Sequence, residues 1–125
     1  MVKILIVDDD DKERMLYQDM LLSEGFEVLT AASGDEGLKL AIKNIPDLIL
    51  LDVMMPNKKG NEVSRDLLGN NKTKNIPVIY LTSIISEEEA KAQEGRASGR
   101  FIISKSSNKA ELVQRIKEVL SADSK

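Results

Sequence analysis

Five short apolar runs punctuate the chain: Ile4–Val7, Val28–Ala31, Leu48–Leu51, Val78–Leu81 and Phe101–Ile103. Four of them are almost wholly apolar, the pattern of strands covered on both faces. The second is weaker, with Phe26, Val28 and Thr30 alternating against Glu27, which predicts an edge strand. The stretches between the runs have helical spacing. Asp10 followed by Glu13, Ser33 by Glu36, Ser86 by Glu89 and Asn108 by Glu111 each have the form of an N-cap with an acidic residue three positions on. The spacing turns Met15, Leu16, Met20 and Leu21 inward on the first helix and Leu38, Ala41 and Ile42 on the second. Val63, Leu67 and Leu68 are the buried positions expected of a third, near Asn61–Gly69. Pro46 and Pro77 stand just ahead of the third and fourth strands, where each ends the preceding segment.

Strands alternating with helices build a parallel sheet, and right-handed crossovers make it doubly wound, with helices on both faces. The expected architecture is an α/β fold with five strands in the flavodoxin-like order 2-1-3-4-5. The 125 residues, without a linker, repeat or low-complexity stretch, predict a single domain over 1–125 with no effector domain. In such sheets the chemistry gathers at the carboxyl ends of the strands, beside the switch point between the first and third.

The strands end in Asp8-Asp9, Asp52, Thr82-Ser83 and Ser104-Lys105. Three carboxylates would meet over the central strands, with a hydroxyl and an ammonium beside them. Carboxylates about 4 Å apart repel by ~4 kcal/mol at an effective dielectric near 20, so the site must hold a proton or a cation. Composition narrows the choice. The chain has no histidine and no cysteine, which excludes imidazole bases, thiolate metal sites and disulfides. An all-oxygen cluster suits a hard ion such as Mg²⁺, with Mn²⁺ as a substitute. An aspartate can also act as nucleophile and form an acyl phosphate. The metal and Lys105 would then neutralise the transferring phosphoryl group, and the Thr82 hydroxyl would donate to it. A net charge of −3 without a basic block argues against nucleic acid. No apolar run approaches the ~18–20 residues of a membrane span, and the absence of cysteine fits a cytoplasmic protein.

Taken together, Ile4-Leu-Ile-Val-Asp-Asp9, Asp47-Leu-Ile-Leu-Leu-Asp52-Val-Met-Met-Pro56 with Gly60, Val78-Ile-Tyr-Leu-Thr82-Ser83 and Phe101-Ile-Ile-Ser-Lys105 resemble the response-regulator receiver family from about residue 3 to 120. The resemblance implies a phosphoacceptor at Asp52, a direct metal ligand at Asp9 with Asp8 as its partner, and a backbone carbonyl ligand at Met54. It implies a hydroxyl at Thr82 and a lysine at Lys105 that pair with the phosphoryl group. The implied donor is a phosphohistidine, on a sensor histidine kinase or a histidine phosphotransfer protein, or a small acyl phosphate. The output is an unknown protein, reached through the face built by the fourth strand-following helix (from Ser86), the fifth strand and the last helix (from Asn108). The state expected is a monomer or weak homodimer, and the chemistry is confined to the domain's own phosphorylation and dephosphorylation, not turnover of a metabolite.

Two positions depart from the family pattern. Ser106 follows Lys105 where the family usually has proline, and the Thr82–Lys105 interval is one residue longer than is usual in the family. Ile102, three before the lysine, stands where the family has its switch aromatic, and Phe101 stands four before it. Either strand 5 is bulged between Ile102 and Lys105 with Phe101 as the switch, or it is regular with Ile102 in that place. A degenerate receiver that binds partners without phosphorylation is one rival. Other functions on this sheet order fit poorly. A flavodoxin needs a hydroxyl-rich loop after strand 1, and a haloacid-dehalogenase phosphatase needs an aspartate where Met54 stands.

Overall fold

The computed structural model describes residues 2–52, 60–82, 101–104 and 109–123. Along the chain these form β1 (Lys3–Val7), α1 (Asp11–Ser23), β2 (Glu27–Ala31), α2 (Gly34–Asn44), β3 (Leu48–Asp52), α3 (Gly60–Leu68), β4 (Val78–Thr82), β5 (Phe101–Ser104) and α4 (Lys109–Asp123). The helix expected from Ser86 lies outside the described residues.

The sheet has five parallel strands in the order β2-β1-β3-β4-β5. The alternating strand, β2, is at an edge, as its half-polar pattern requires. Strand parity then divides the core. Ile4, Ile6, Leu48, Leu50, Ile79 and Leu81 face α1 and α4, where Met20, Leu21, Leu112, Val113, Ile116 and Val119 close over them. Leu5, Val7, Ile49, Leu51 and Val78 face α2 and α3, against Ala41, Val63 and Leu67. Successive residues of one strand thus supply two separate cores.

Three residues expected inward are not. Met15 and Leu16 are 62% and 66% exposed, and Leu68 is 50% exposed. The inward stripe of α1 is centred on Tyr17, Met20 and Leu21. At 100° per residue, Leu16 then lies roughly 90° from that stripe and Met15 nearly opposite it. Leu68 follows the buried Leu67 and is rotated by the same ~100°.

The helix starts show how the chain is steered toward the strand ends. Asp10 caps α1, its carboxylate accepting from the N–H groups of Lys12 and Glu13 at 2.9 and 3.0 Å. Ser33 caps α2, accepting from the Glu36 N–H at 3.2 Å, while Glu36 reaches back to the Ala32 N–H at 2.6 Å. At the other end of α1, Gly25 adopts φ +89°, and the Phe26 N–H donates to Leu21 O at 3.2 Å. That arrangement closes the helix and returns Phe26 onto the core that contains Leu21. Pairing of β5 with β4 runs residue for residue from Ile79↔Phe101 to Thr82↔Ser104, so the strand is regular over its described length, and the step to Lys105 lies outside it.

Candidate metal centre

The register brings the acidic strand ends together. Val7 is opposite Leu51 in the β1–β3 ladder, so the next residues, Asp8 and Asp52, emerge side by side at the carboxyl end of the sheet. Both are deeply buried, at 1% and 4% exposure. Asp52 is still in the ladder, opposite Leu81 of β4. Asp8 is one step past its strand but remains tied to β2 through its N–H, which donates to Ala31 O at 3.1 Å.

Side chains pin the turn that follows. Asp8 Oδ1 accepts from the Asp10 N–H at 2.9 Å, and Asp8 O accepts from Arg14 Nη1 at 2.8 Å. The other arm of Arg14 donates to Asp11 Oδ1. Arg14 therefore clamps the first turn of α1 onto the end of β1, and its fork geometry fixes the direction in which that turn points.

That turn adds a carboxylate the strand ends alone do not supply. Among the described residues, Asp8, Glu13 and Asp52 each offer a carboxylate oxygen, and these oxygens lie within 4.8 Å of one another. Glu13 is half-buried and comes from the first turn of α1. Pairs of charges at that distance repel by about 3–4 kcal/mol at an effective dielectric near 20, so the group favours a bound cation. Its donors are all oxygen, the chemistry a hard divalent ion selects. Oxygens bound directly to one Mg²⁺ are at most about 4.2 Å apart, and the ion usually keeps several waters. A spread of up to 4.8 Å suits an ion held directly by some of these groups and through water by others.

Of the residues singled out in the sequence, Asp8 and Asp52 are brought together here. Asp9 is exposed beside them. Asp10 is the cap of α1, and Asp11 is an exposed partner of Arg14. Thr82 ends β4, one residue past the partner of Asp52. Met54, Ser83, Lys105 and Ser106 lie outside the described residues. Glu13 was hidden in the sequence by its place in a capping-box pattern. The signal that points to it is positional: a helix that starts at the switch point aims its first turn at the strand ends.

The model of the response regulator receiver domain family matches residues 4–117. The chain belongs to that family. The receiver is 35% identical over 120 residues to Protein PilH of Pseudomonas aeruginosa, covering 96% of this chain and 98% of PilH. It is 31% identical to the polar-differentiation response regulator DivK of Brucella ovis, covering 94% of each chain. A match to response regulator PleD of Caulobacter vibrioides, at 42% identity, takes in 66% of this receiver and only 18% of PleD. Among solved structures, chemotaxis protein CheY4 of Vibrio cholerae superposes with a TM-score of 0.82 at 36% identity, covering 95% of this chain and 98% of that one. Receiver domains of this family bind Mg²⁺ and engage histidine kinases and downstream effectors. Among the described residues, no helix of the receiver is long and apolar enough to cross a membrane.

Proposed function

We propose that this receiver accepts a phosphoryl group onto Asp52 in a Mg²⁺-dependent reaction and signals by a change of conformation. The observation that carries the reading is the burial of Asp52 beside Asp8 and Glu13 at the carboxyl ends of β1 and β3, in a chain of the receiver family. Asp52 supplies the nucleophilic oxygen. It attacks the phosphorus of a phosphohistidine on a sensor kinase or phosphotransfer protein, the P–N bond breaks, the imidazole leaves, and an acyl phosphate forms. Buried in the sheet end, that carboxylate is held at one position for in-line attack, so less orientational freedom is lost on reaction.

Asp8, Asp9 and Asp52, with the Met54 carbonyl, are the residues to hold the metal. When bound, the ion offsets the charge of the incoming phosphoryl oxygens. Thr82 donates its hydroxyl to one of those oxygens and Lys105 pairs with another. Ile102 fills the place of the family's switch aromatic, in line with the regular pairing of β5. The reaction is the domain's own modification, in the cytoplasm, without a metabolite as substrate.

The test is incubation with acetyl phosphate and Mg²⁺, followed by intact-mass measurement. One phosphoryl group should be added and should be released by hydroxylamine, as an acyl phosphate is. Asp52→Asn keeps the shape of the side chain and removes the nucleophile, so labelling should stop. A fully labelled Asp52→Asn variant would place the acceptor elsewhere.

A further inference from the structure

We propose that Arg14 is a positioning residue for the metal in this receiver: its two-armed grip on the turn between β1 and α1 aims the Asp9 carboxylate at the ion. The proposal rests on the reading of this site as a Mg²⁺ site with Asp9 as a ligand, and goes beyond it in assigning the residue that orients that ligand. Asp9 is exposed, so packing does not aim its side chain. Its direction is set by the two peptide groups that flank it, and a hydrogen bond holds each. The peptide between Asp8 and Asp9 is held by its carbonyl, which accepts from Arg14 Nη1 at 2.8 Å. The peptide between Asp9 and Asp10 is held by its N–H, which donates to Asp8 Oδ1 at 2.9 Å. The second bond comes from within the acidic group. The first comes from α1, where the Arg14 N–H also donates to Asp10 O at 2.9 Å.

A guanidinium is a rigid planar fork, and a charged donor makes a shorter and stronger bond than a neutral one. One arm is on Asp8 O and the other on Asp11 Oδ1, so the plane cannot swing about either bond alone. The Arg14 side chain is only 20% exposed, against 84% for Asp11, so water competes little for the inner bond. The sign of the effect on metal affinity separates positioning from charge. As a cation Arg14 repels a divalent ion, and a role confined to charge balance would make binding tighter once it is removed. A positioning role makes binding weaker, because Asp9 then samples directions that miss the ion.

The experiment is a Mn²⁺ titration of the whole chain at about 0.15 M salt, with free Mn²⁺ read by its electron paramagnetic resonance signal. It is run at a temperature where circular dichroism shows each variant folded. Arg14→Met keeps the length and helix propensity of the side chain and removes its charge and donors. Its dissociation constant should rise roughly tenfold, the usual cost of losing a group that orients a metal's ligand. Lys12→Met removes an exposed cation from the same turn and should lower the constant or leave it within about threefold, as a screened surface charge does. In an Asp9→Asn background, Arg14→Met should add no more than about a twofold loss, since the ligand it aims is already gone. An unchanged or lower constant in Arg14→Met overturns the proposal. So does an equal loss in Lys12→Met, or a loss that persists undiminished in the Asp9→Asn background. Should the parent bind no Mn²⁺, or Asp9→Asn bind it as the parent does, the reading of the site falls and the proposal with it. A weakened Asp9→Asn beside an unaffected Arg14→Met sinks the proposal alone.

Discussion

At the scale of single residues, a position's chemistry was legible wherever one physical demand dominated it. Asp8 and Asp52 follow apolar runs that can only be buried strands, so their burial and neighbourhood follow from the sheet order. Glu13 was not legible, because the same residue type at the same position serves a helix cap, a helix dipole or an ion equally well. Ile45 was not legible either. It ends α2 at φ +46°, a left-handed conformation that costs an L residue about 1–2 kcal/mol and that a β-branched side chain tolerates least. Pro46 follows directly and disfavours helical geometry at the residue before it. Gly25 meets the corresponding demand at the end of α1 without that cost. Ile45 is 45% exposed, so little packing offsets the strain. Ile45→Asn should therefore stabilise the receiver by roughly 0.5–1 kcal/mol, since asparagine is at ease in this region. The gain should be read as a higher urea midpoint at unchanged slope; a lower midpoint would show that the half-buried isoleucine packs better than its exposure suggests.

At the scale of elements, hydrophobic spacing together with cap signals located every described strand and helix, but spacing misplaced residues at the margins of the helical faces. Met15, Leu16 and Leu68 are apolar yet exposed, because a stripe has one centre and a sequence offers several apolar residues to define it. Tyr17, which reads as neither clearly apolar nor polar, proves to be part of the centre for α1. A glycine marks the tightest junction between elements. Gly37 is buried in α2, and a Cβ built on it would meet Val7 Cγ2 at 2.7 Å and Cγ1 at 3.0 Å. On an exposed helix, glycine to alanine gains about 1 kcal/mol from propensity alone. Here the neighbour is a β-branched side chain with little rotamer freedom, inside a core strand whose next residue is Asp8. Gly37→Ala should therefore lower stability, by about 1–3 kcal/mol as overpacked cores do. Because the strain falls on Val7, the variant should also bind Mn²⁺ more weakly. Thermal and urea unfolding measure the first effect; a variant at least as stable as the parent would mean that α2 moves off the sheet at no cost.

At the scale of the whole molecule, the sheet is a short path from the acidic site to the opposite edge. Asp52 pairs with Leu81, Thr82 follows, and Thr82 pairs with Ser104 of β5. A phosphoryl group on Asp52 that draws the Thr82 hydroxyl toward it would pull on the end of β4, and the unbroken register passes that displacement to β5. The sheet cannot absorb it by slipping, because a one-residue shift would send every buried side chain to the wrong face. The adjustment must then fall on α4, which packs on Ile79 and Leu81 of β4, and on the segment of sequence that joins β4 to β5. Beryllofluoride on Asp52, a mimic of the phosphoryl group, should accordingly change amide chemical shifts at residues 86–100, along Phe101–Ser104 and at the start of α4. The far edge, β2, should stay quiet, because its contact with the site runs through Asp8 and Ala31 and not through Thr82. Shifts confined to the turns after β1 and β3 would mean that the group is bound without being transmitted, and the receiver would then act as a binding module whose partners do not sense its phosphorylation.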